Sequence, residues 1–410
     1  MPLDSTSSPD GQRVILRGRI VSDGDSLADG LVAIADGRIV HAGPAAGFSD
    51  PAFEGLEPTP LPEGAILIPG LVDIHCHGGD GGDFPSGQED SARTAIAFLH
   101  RSGTTSLLAS MVTASREDLL HGIGLYVGLT EEGLLEGIHL EGPFLSEARC
   151  GAQNPAFLLS PDLEFAEELI LAASGKLRTM TYAPELPGAA ELVDLLTTHG
   201  VVPSLGHTDS DDATAASSLA AARDGLAAAG FDGSTSRPTV THLFNGMRPI
   251  HHRDPGPVTA CLRAAQAGRA AVELIADNTH LDPRTTLTVF DLVGSANVLL
   301  VTDSMAAAGL SDGHYMLGPS PVTVADGVAT LDTTGSIAGG TATLLQVVQR
   351  TVAAGVPLAD AVRSATAVPA DVLGLDDEVG SLRRGLRADV VVLAADLQLQ
   401  RVMRQGEWLV

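Results

Sequence analysis

Leu71-Val72-Asp73-Ile74-His75-Cys76-His77-Gly78 is the stretch on which the reading of this chain turns. Apolar and β-branched residues run into a glycine break at Gly78-Gly79, the pattern of a strand that stops abruptly. Side chains alternate along a strand, so His75 and His77 leave it on one face and Cys76 on the other. Two imidazoles side by side at the C-terminal end of a strand are half of a metal site. The same pair also fits two ordinary histidines beside a turn, because H-x-H is a short pattern. The positions of the other ligand-type residues decide between the two.

Outward from this stretch, strand-like and helix-like segments alternate. Strands are expected at 71–77, 104–110, 137–141, 177–183, 201–207, 240–245, 271–277 and 298–303, with helical stretches between them such as 91–101, 164–173, 189–199 and 211–229. Eight strands each followed by a helix is the pattern of an α/β fold, the (β/α)8 TIM-like barrel. Segments 341–353 and 358–373 supply closing helices, and 319–331 reads as an inserted hairpin with Ala325-Asp326-Gly327 at its tip. The two chain ends differ from this middle. Short strands recur over 12–68, and again at 388–393, 397–402 and 408–410. They are expected to form one small β-sandwich domain from both ends, residues 1–68 plus 377–410, beside a catalytic barrel at 69–376.

Composition bounds the function. At 410 residues and 44% hydrophobic content, one barrel and a small domain both find enough core. The net charge of −27 repels nucleic acid and anionic membrane surfaces, so neither is an expected partner. An anionic ligand would need a local cluster of cations. Three cysteines, Cys76, Cys150 and Cys261, form no disulfide framework and suit a reducing cytoplasm. Residues 1–11 lack the basic and apolar parts of a signal peptide, and no apolar run reaches the length of a membrane span.

In such barrels the chemistry lies at the C-terminal ends of the strands. His75 and His77 fall at the end of strand one, Glu141 at the end of three, His207 of five, His242 within or near the end of six, and Asp303 of eight. Each alone has a plainer explanation: His207 a helix cap, Asp303 a turn residue, Glu141 a solvated acid. Six ligand-type residues from five strands gathered at one mouth point together to a divalent metal site. His139 lies on the same face as Glu141, deeper in the barrel, as a core residue or a support for the ligands.

These residues resemble the amidohydrolase superfamily, and within it the N-acetylglucosamine-6-phosphate deacetylases. The narrower resemblance rests on five motifs in order: His139-Leu140-Glu141-Gly142-Pro143-Phe144, Leu205-Gly206-His207-Thr208, the run from Thr241 to Pro249 with His251-His252-Arg253, Glu273-Leu274-Ile275-Ala276-Asp277, and Val301-Thr302-Asp303-Ser304-Met305. It covers essentially the whole chain. It implies hydrolysis of the N-acetyl amide of an amino-sugar phosphate. Glu141, His207 and His242 would hold the principal ion, and His75 and His77 a second one with Glu141 and Asp303. Asp303 would be the catalytic base and acid. Asn245, Gly246, Arg253 and His280 would bind the sugar phosphate, and the assembly would be a homodimer with phosphate contacts that sometimes cross the interface.

Many superfamily members bridge two ions with a carboxylated lysine. The sole lysine here, Lys176, starts strand four at the wrong end of the barrel, so the shared carboxylate is expected to be Glu141. Gln153 stands where many relatives have a histidine near the acetyl carbonyl; it can donate a hydrogen bond but carries no proton. By ligand type, one or two ions of zinc or iron(II) suit the set, and the sequence does not choose. The missing lysine argues against a cyclic-amide hydrolase on the same barrel. A barrel that had lost its chemistry would show eroded ligands, and none is eroded here.

Overall fold

The structure is a computed structural model that describes residues 13–230 and 236–410. The segment read as lacking a signal peptide, and the first part of the 1–68 span, lie outside the described residues. Eight strands form one parallel sheet: Leu71–Asp73, Thr104–Val112, Gly137–Glu141, Leu177–Tyr182, Val202–Leu205, Thr239–Val240, Ala271–Leu274 and Val298–Leu300. Each pairs in parallel with the next in sequence. The strands are buried on both faces because helices cover the outside and side chains fill the inside. Val72, Leu108, Val202, Ala271 and Leu299 meet in one buried cluster with Val368 and Val372. The Val72 N–H donates to Ala365 O, which places that plug at the N-terminal ends of the strands.

Strands eight and one are joined beyond their last residues. The Asp303 N–H donates to His75 O at 2.8 Å, and the buried Thr302 hydroxyl donates to Asp73 Oδ2 at 2.7 Å. Both bonds lie next to candidate ligands, so closing the barrel and forming the site are one act. Burial pushes the Asp73 carboxyl up to about 7, with the Thr302 hydroxyl pulling it back in part.

Several of the helices begin where a side chain satisfies an orphan amide. Ser115, Asp162, Asp211 and Asp282 each accept an N–H of the first turn. Two expected helices change shape. The one expected from 341 starts at Leu344, where Thr343 and Gln346 form a capping box. The one expected over 358–373 is two helices, Leu358–Ser364 and Ala367–Val372. Pro369 has no N–H, and its ring would strike the carbonyl four residues earlier, so a continuous helix cannot form; proline fits in the first turn of a new one.

The chain ends supply a separate seven-stranded sheet. Val390–Leu393 runs antiparallel to Ile66–Pro69, which pairs in parallel with Arg13–Ser22. Ile39, from the strand at one edge, shares a buried cluster with Met403 near the other edge, and Trp408 packs on it. The Ile39 N–H donates to Leu386 O, so the sheet folds over on itself as a sandwich. The inserted hairpin has the expected tip but gains a strand: Gly313–Leu317, Ser320–Ala325 and Val328–Leu331 form a three-stranded sheet. Among the described residues no helix is long and apolar enough to cross a membrane.

Candidate active site and metal centre

His75, His77, His207, His242 and Asp303 sit just past the strand ends and not on the strands as expected, whereas Glu141 is the last residue of its strand, where it was expected. The ladders stop at Asp73, Leu205, Val240 and Leu300. The reason is backbone conformation: His207, His242 and Asp303 have φ of +45°, +27° and +46°. Non-glycine residues in that region cost about 1–3 kcal/mol each and end regular pairing. Three strained residues around one point mark a site whose geometry is enforced by its surroundings. Gly246 (φ +61°) allows the close packing beside them, since a Cβ there would stand 3.0 Å from His207 Nδ1.

Two clusters form, and they share Glu141. His75, His77, Glu141 and Asp303 make one; Glu141, His207 and His242 make the other. His207 Nε2 and His242 Nε2 lie 2.9 and 3.0 Å from Glu141 Oε1 and 3.1 Å from each other. His77 Nε2 lies 3.2 Å from Glu141 Oε2 and 3.1 Å from Asp303 Oδ1. His75 Nε2 is 3.6 Å from Glu141 and 3.5 Å from Asp303, with no hydrogen-bond partner.

The opposite ring nitrogens explain why these lone pairs converge. His77 Nδ1 meets Ser110 O at 3.0 Å and His207 Nδ1 meets Arg149 O at 2.8 Å. Carbonyls only accept, so both Nδ1 atoms carry the proton. His75 Nδ1 donates in the same way to Glu273 Oε2 at 3.0 Å. In their neutral form the rings aim Nε2 lone pairs at two carboxylates, which repels unless positive charge, a proton on Nε2 or a metal ion, lies between. Metal–nitrogen and metal–oxygen bonds of about 2.0–2.2 Å put neighbouring donors roughly 3 Å apart, as they are here. The residues fit a divalent ion in each cluster.

Electrostatics agree. Burial disfavours charge on His75 and His77, yet the Glu141 and Asp303 carboxylates override it and raise the pKa of both, His77 to about 9. Burial likewise opposes charge on Glu141 and Asp303. The histidines outweigh it: His75, His207 and His242 hold Glu141 well below the usual range, and His75 and His77 lower Asp303. The pocket demands positive charge, supplied by protons on the rings or by cations. His139, 4.5 Å from His75 between ring centroids, responds in the opposite sense. Burial and the charge of His75 press it well below its ordinary value, and Ser110 and Thr181 take its two nitrogens. It supports the ligands and is not one of them. Cys76 turns its thiol away, onto Leu108 O.

A cavity of about 230 Å³ opens on both clusters, and Gln153, Asn245, Gly246 and His280 line it with the ligands. Gln153 is fixed at both ends: Oε1 accepts the Thr113 N–H at 2.7 Å, and Nε2 donates to Glu141 Oε2 at 2.6 Å. It holds the shared carboxylate. Nδ1 of His280 donates to Asp277 at 2.9 Å; burial opposes its charge, and Asp277 outweighs burial to raise the pKa. The structure does not bring Arg253 into this group. Its side chain is exposed and outside the cavity, on the segment after Gly246, and its N–H donates to His251 Nδ1. The residue that sequence reasoning missed is Glu273, buried in strand seven. Its signal was available: a lone carboxylate inside the apolar run Ala271-Val272-Glu273-Leu274.

A barrel of parallel strands with paired histidine and carboxylate ligands at its C-terminal mouth defines a class of metal-dependent hydrolases. The sequence profile of the amidohydrolase family matches residues 66–409, and the chain belongs to that family. Within it the similarity runs to one group. The chain is 31% identical over 395 residues to N-acetylglucosamine-6-phosphate deacetylase of Bacillus subtilis, 94% of each chain. It is 30% identical over 398 residues to N-acetylgalactosamine-6-phosphate deacetylase of Escherichia coli O157:H7, 95% of this chain and 97% of that one. A structure of N-acetyl-D-glucosamine-6-phosphate deacetylase from Mycobacterium smegmatis, in complex with N-acetyl-D-glucosamine-6-phosphate, superposes with a TM-score of 0.88 at 38% identity. It covers 98% of this chain and 100% of that one.

Proposed function

We propose that this enzyme hydrolyses the N-acetyl amide of N-acetylglucosamine 6-phosphate, giving acetate and glucosamine 6-phosphate. The observation that carries the reading is the convergence of two ligand clusters on Glu141 at the floor of a sugar-sized cavity. His207, His242 and Glu141 would hold the principal ion, and His75, His77, Glu141 and Asp303 a second; zinc and iron(II) both suit nitrogen and carboxylate donors. A bound divalent ion lowers the pKa of water towards neutrality and polarises a carbonyl. Asp303, kept ionised by His75 and His77, takes the proton from the attacking water and returns it to the leaving amine. Gln153 keeps Glu141 in its orientation, and His280, anchored on Asp277, leaves Nε2 for a substrate oxygen.

Arg253 is exposed outside the cavity, and we propose a homodimer in which it reaches the phosphate of a neighbouring subunit's substrate. We assign 69–376 to the catalytic barrel and 1–68 with 377–410 to the small domain, and three unpaired cysteines support a cytoplasmic location. The galacto epimer is a second reading, favoured by the similarity to the Escherichia coli relative. Acetate release from the two epimers and from unphosphorylated N-acetylglucosamine tests the proposal. Turnover of the gluco phosphate well above the other two is expected, and equal turnover of both epimers would remove the assignment.

A further inference from the structure

Glu273 joins the two ligand clusters. It sits inside strand seven, Ala271–Leu274, and only about 2% of its surface reaches solvent. A carboxylate buried that deeply in an apolar strand is costly unless donors satisfy it. One oxygen, Oε2, has two of them. His75 Nδ1 donates to it at 3.0 Å, and the main-chain N–H of His242 donates at 3.2 Å. His75 belongs to one cluster and His242 to the other. The main chain of the same residue adds a third tie, since Glu273 O accepts the Leu243 N–H at 2.9 Å.

The two bonds do different work. Towards His75, the carboxylate fixes the proton on Nδ1 and turns the Nε2 lone pair to Glu141 and Asp303; among the described residues no other hydrogen bond holds that ring. Towards His242, it holds a peptide N–H in a backbone at φ +27° that a histidine does not adopt freely. The His242 backbone has a second support in the Leu243 bond, which any residue at 273 retains. The His75 ring has no second hydrogen bond among the described residues, only ring contacts with His77, His139 and His242.

We infer that Glu273 is a positioning residue that sets how tightly the His75/His77 half of the site holds its ion, and leaves the His207/His242 half nearly unaffected. The inference rests on the two-ion reading of the site. Partners in this outer position usually change metal affinity by about 10–100-fold. Replacing the carboxylate weakens the anionic pull on the His75 N–H and makes Nε2 a poorer donor. For His242 only one of two backbone ties is altered.

The test measures ions, not only turnover. Protein stripped of metal is titrated with zinc against a competing chelator, for the wild type, E273Q, H75A and the double variant. Wild type is expected to bind two ions. E273Q is expected to bind one ion with affinity within about threefold of wild type and the other about 10–100-fold more weakly. In the H75A background E273Q is expected to change the remaining ion by less than about threefold, with the apo protein's melting temperature close to that of H75A alone. If E273Q does not fold, E273D, which keeps the charge but withdraws the oxygen from both donors, is expected to give the same selective loss. Two ions in wild type with both weakened equally in the variant, or neither weakened, would overturn the role of Glu273 alone. A single ion in wild type would overturn the two-ion reading as well.

Discussion

Buried histidines stand at both ends of this barrel, and their neighbours set them apart. At the mouth, His75, His77 and His207 face Glu141 and Asp303, and each has a raised pKa despite burial. At the opposite end, His100 closes helix Glu89–Arg101 near the start of strand two, and burial with the charges of Arg404 and Arg387 pushes it down to about 3. Those arginines are themselves tied down: Arg387 pairs with Glu136 and Asp389, and Arg404 donates to Thr105 O. Desolvation opposes charge at both ends. The difference lies in the sign of what was left nearby. The mouth sets carboxylates against its histidines and calls for cations; at the base burial, reinforced by two nearby arginines, keeps the histidine neutral. A site for chemistry and a joint for stability are built from the same residue type.

Substitutions should separate the two ends by what they change. The largest effect belongs to Glu141, the one residue in both clusters. E141Q is expected to lose both ions and reduce turnover to background, while the melting temperature of the metal-free protein stays within a few degrees of wild type. Full occupancy with near-normal turnover would break the assignment of the mouth as a shared-carboxylate centre. Next is Asp303. D303N is expected to lower kcat by about 10²–10⁴, the usual contribution of a positioned acid–base group. The ion of the His207/His242 cluster, in which Asp303 takes no part, is expected to stay bound. Retained kcat would shift the proton transfer to another group, His280 first.

Smaller is the effect of Arg253. R253A is expected to raise KM for the phosphorylated sugar by about 10–100-fold, from a charged hydrogen bond of about 1.5–3 kcal/mol. The slow reaction with the unphosphorylated sugar should barely change. Equal loss on both would make Arg253 a structural residue. The smallest effect is at the base and concerns pH. The folded pKa of His100 lies below its unfolded value, so the unfolded chain binds the extra proton first. Stability is therefore untouched above about pH 6.5 and falls as pH drops towards 3, by at most about 1.4 kcal/mol per unit from this group. H100Q should flatten that acid limb in thermal melts and leave turnover at neutral pH unchanged. An unaltered limb would show that His100 is not what the arginines act on.

The barrel was legible because short strand-like runs alternate regularly with helical stretches such as the alanine-rich one that begins near Asp211. The candidate ligands were legible because carboxylates and histidines recur at strand ends in a way that a core has no use for. What could not be read was where each strand stops. His207, His242 and Asp303 take a left-handed backbone that sequence associates with glycine, so their strands were drawn too long. The break before Pro369 was readable, since proline forbids the continuous helix. Glu273 was readable as an anomaly but not as a partner, because nothing local connects strand seven to His75, 198 residues away. Gln153 lines the cavity, but its grip on Glu141 depends on the Thr113 N–H fixing which way the amide faces, which the sequence does not encode. Arg253 follows a loop whose path no periodicity encodes.

The most direct test of the central claim is acetate release. Metal-loaded protein is given N-acetylglucosamine 6-phosphate and acetate is measured against time, before and after chelation and after adding back zinc or iron(II). Release of one acetate per glucosamine 6-phosphate, abolished by the chelator and restored by the ion, is the result this account requires. Protein that holds its ions at Glu141 and yet releases no acetate from either phosphorylated epimer would contradict it.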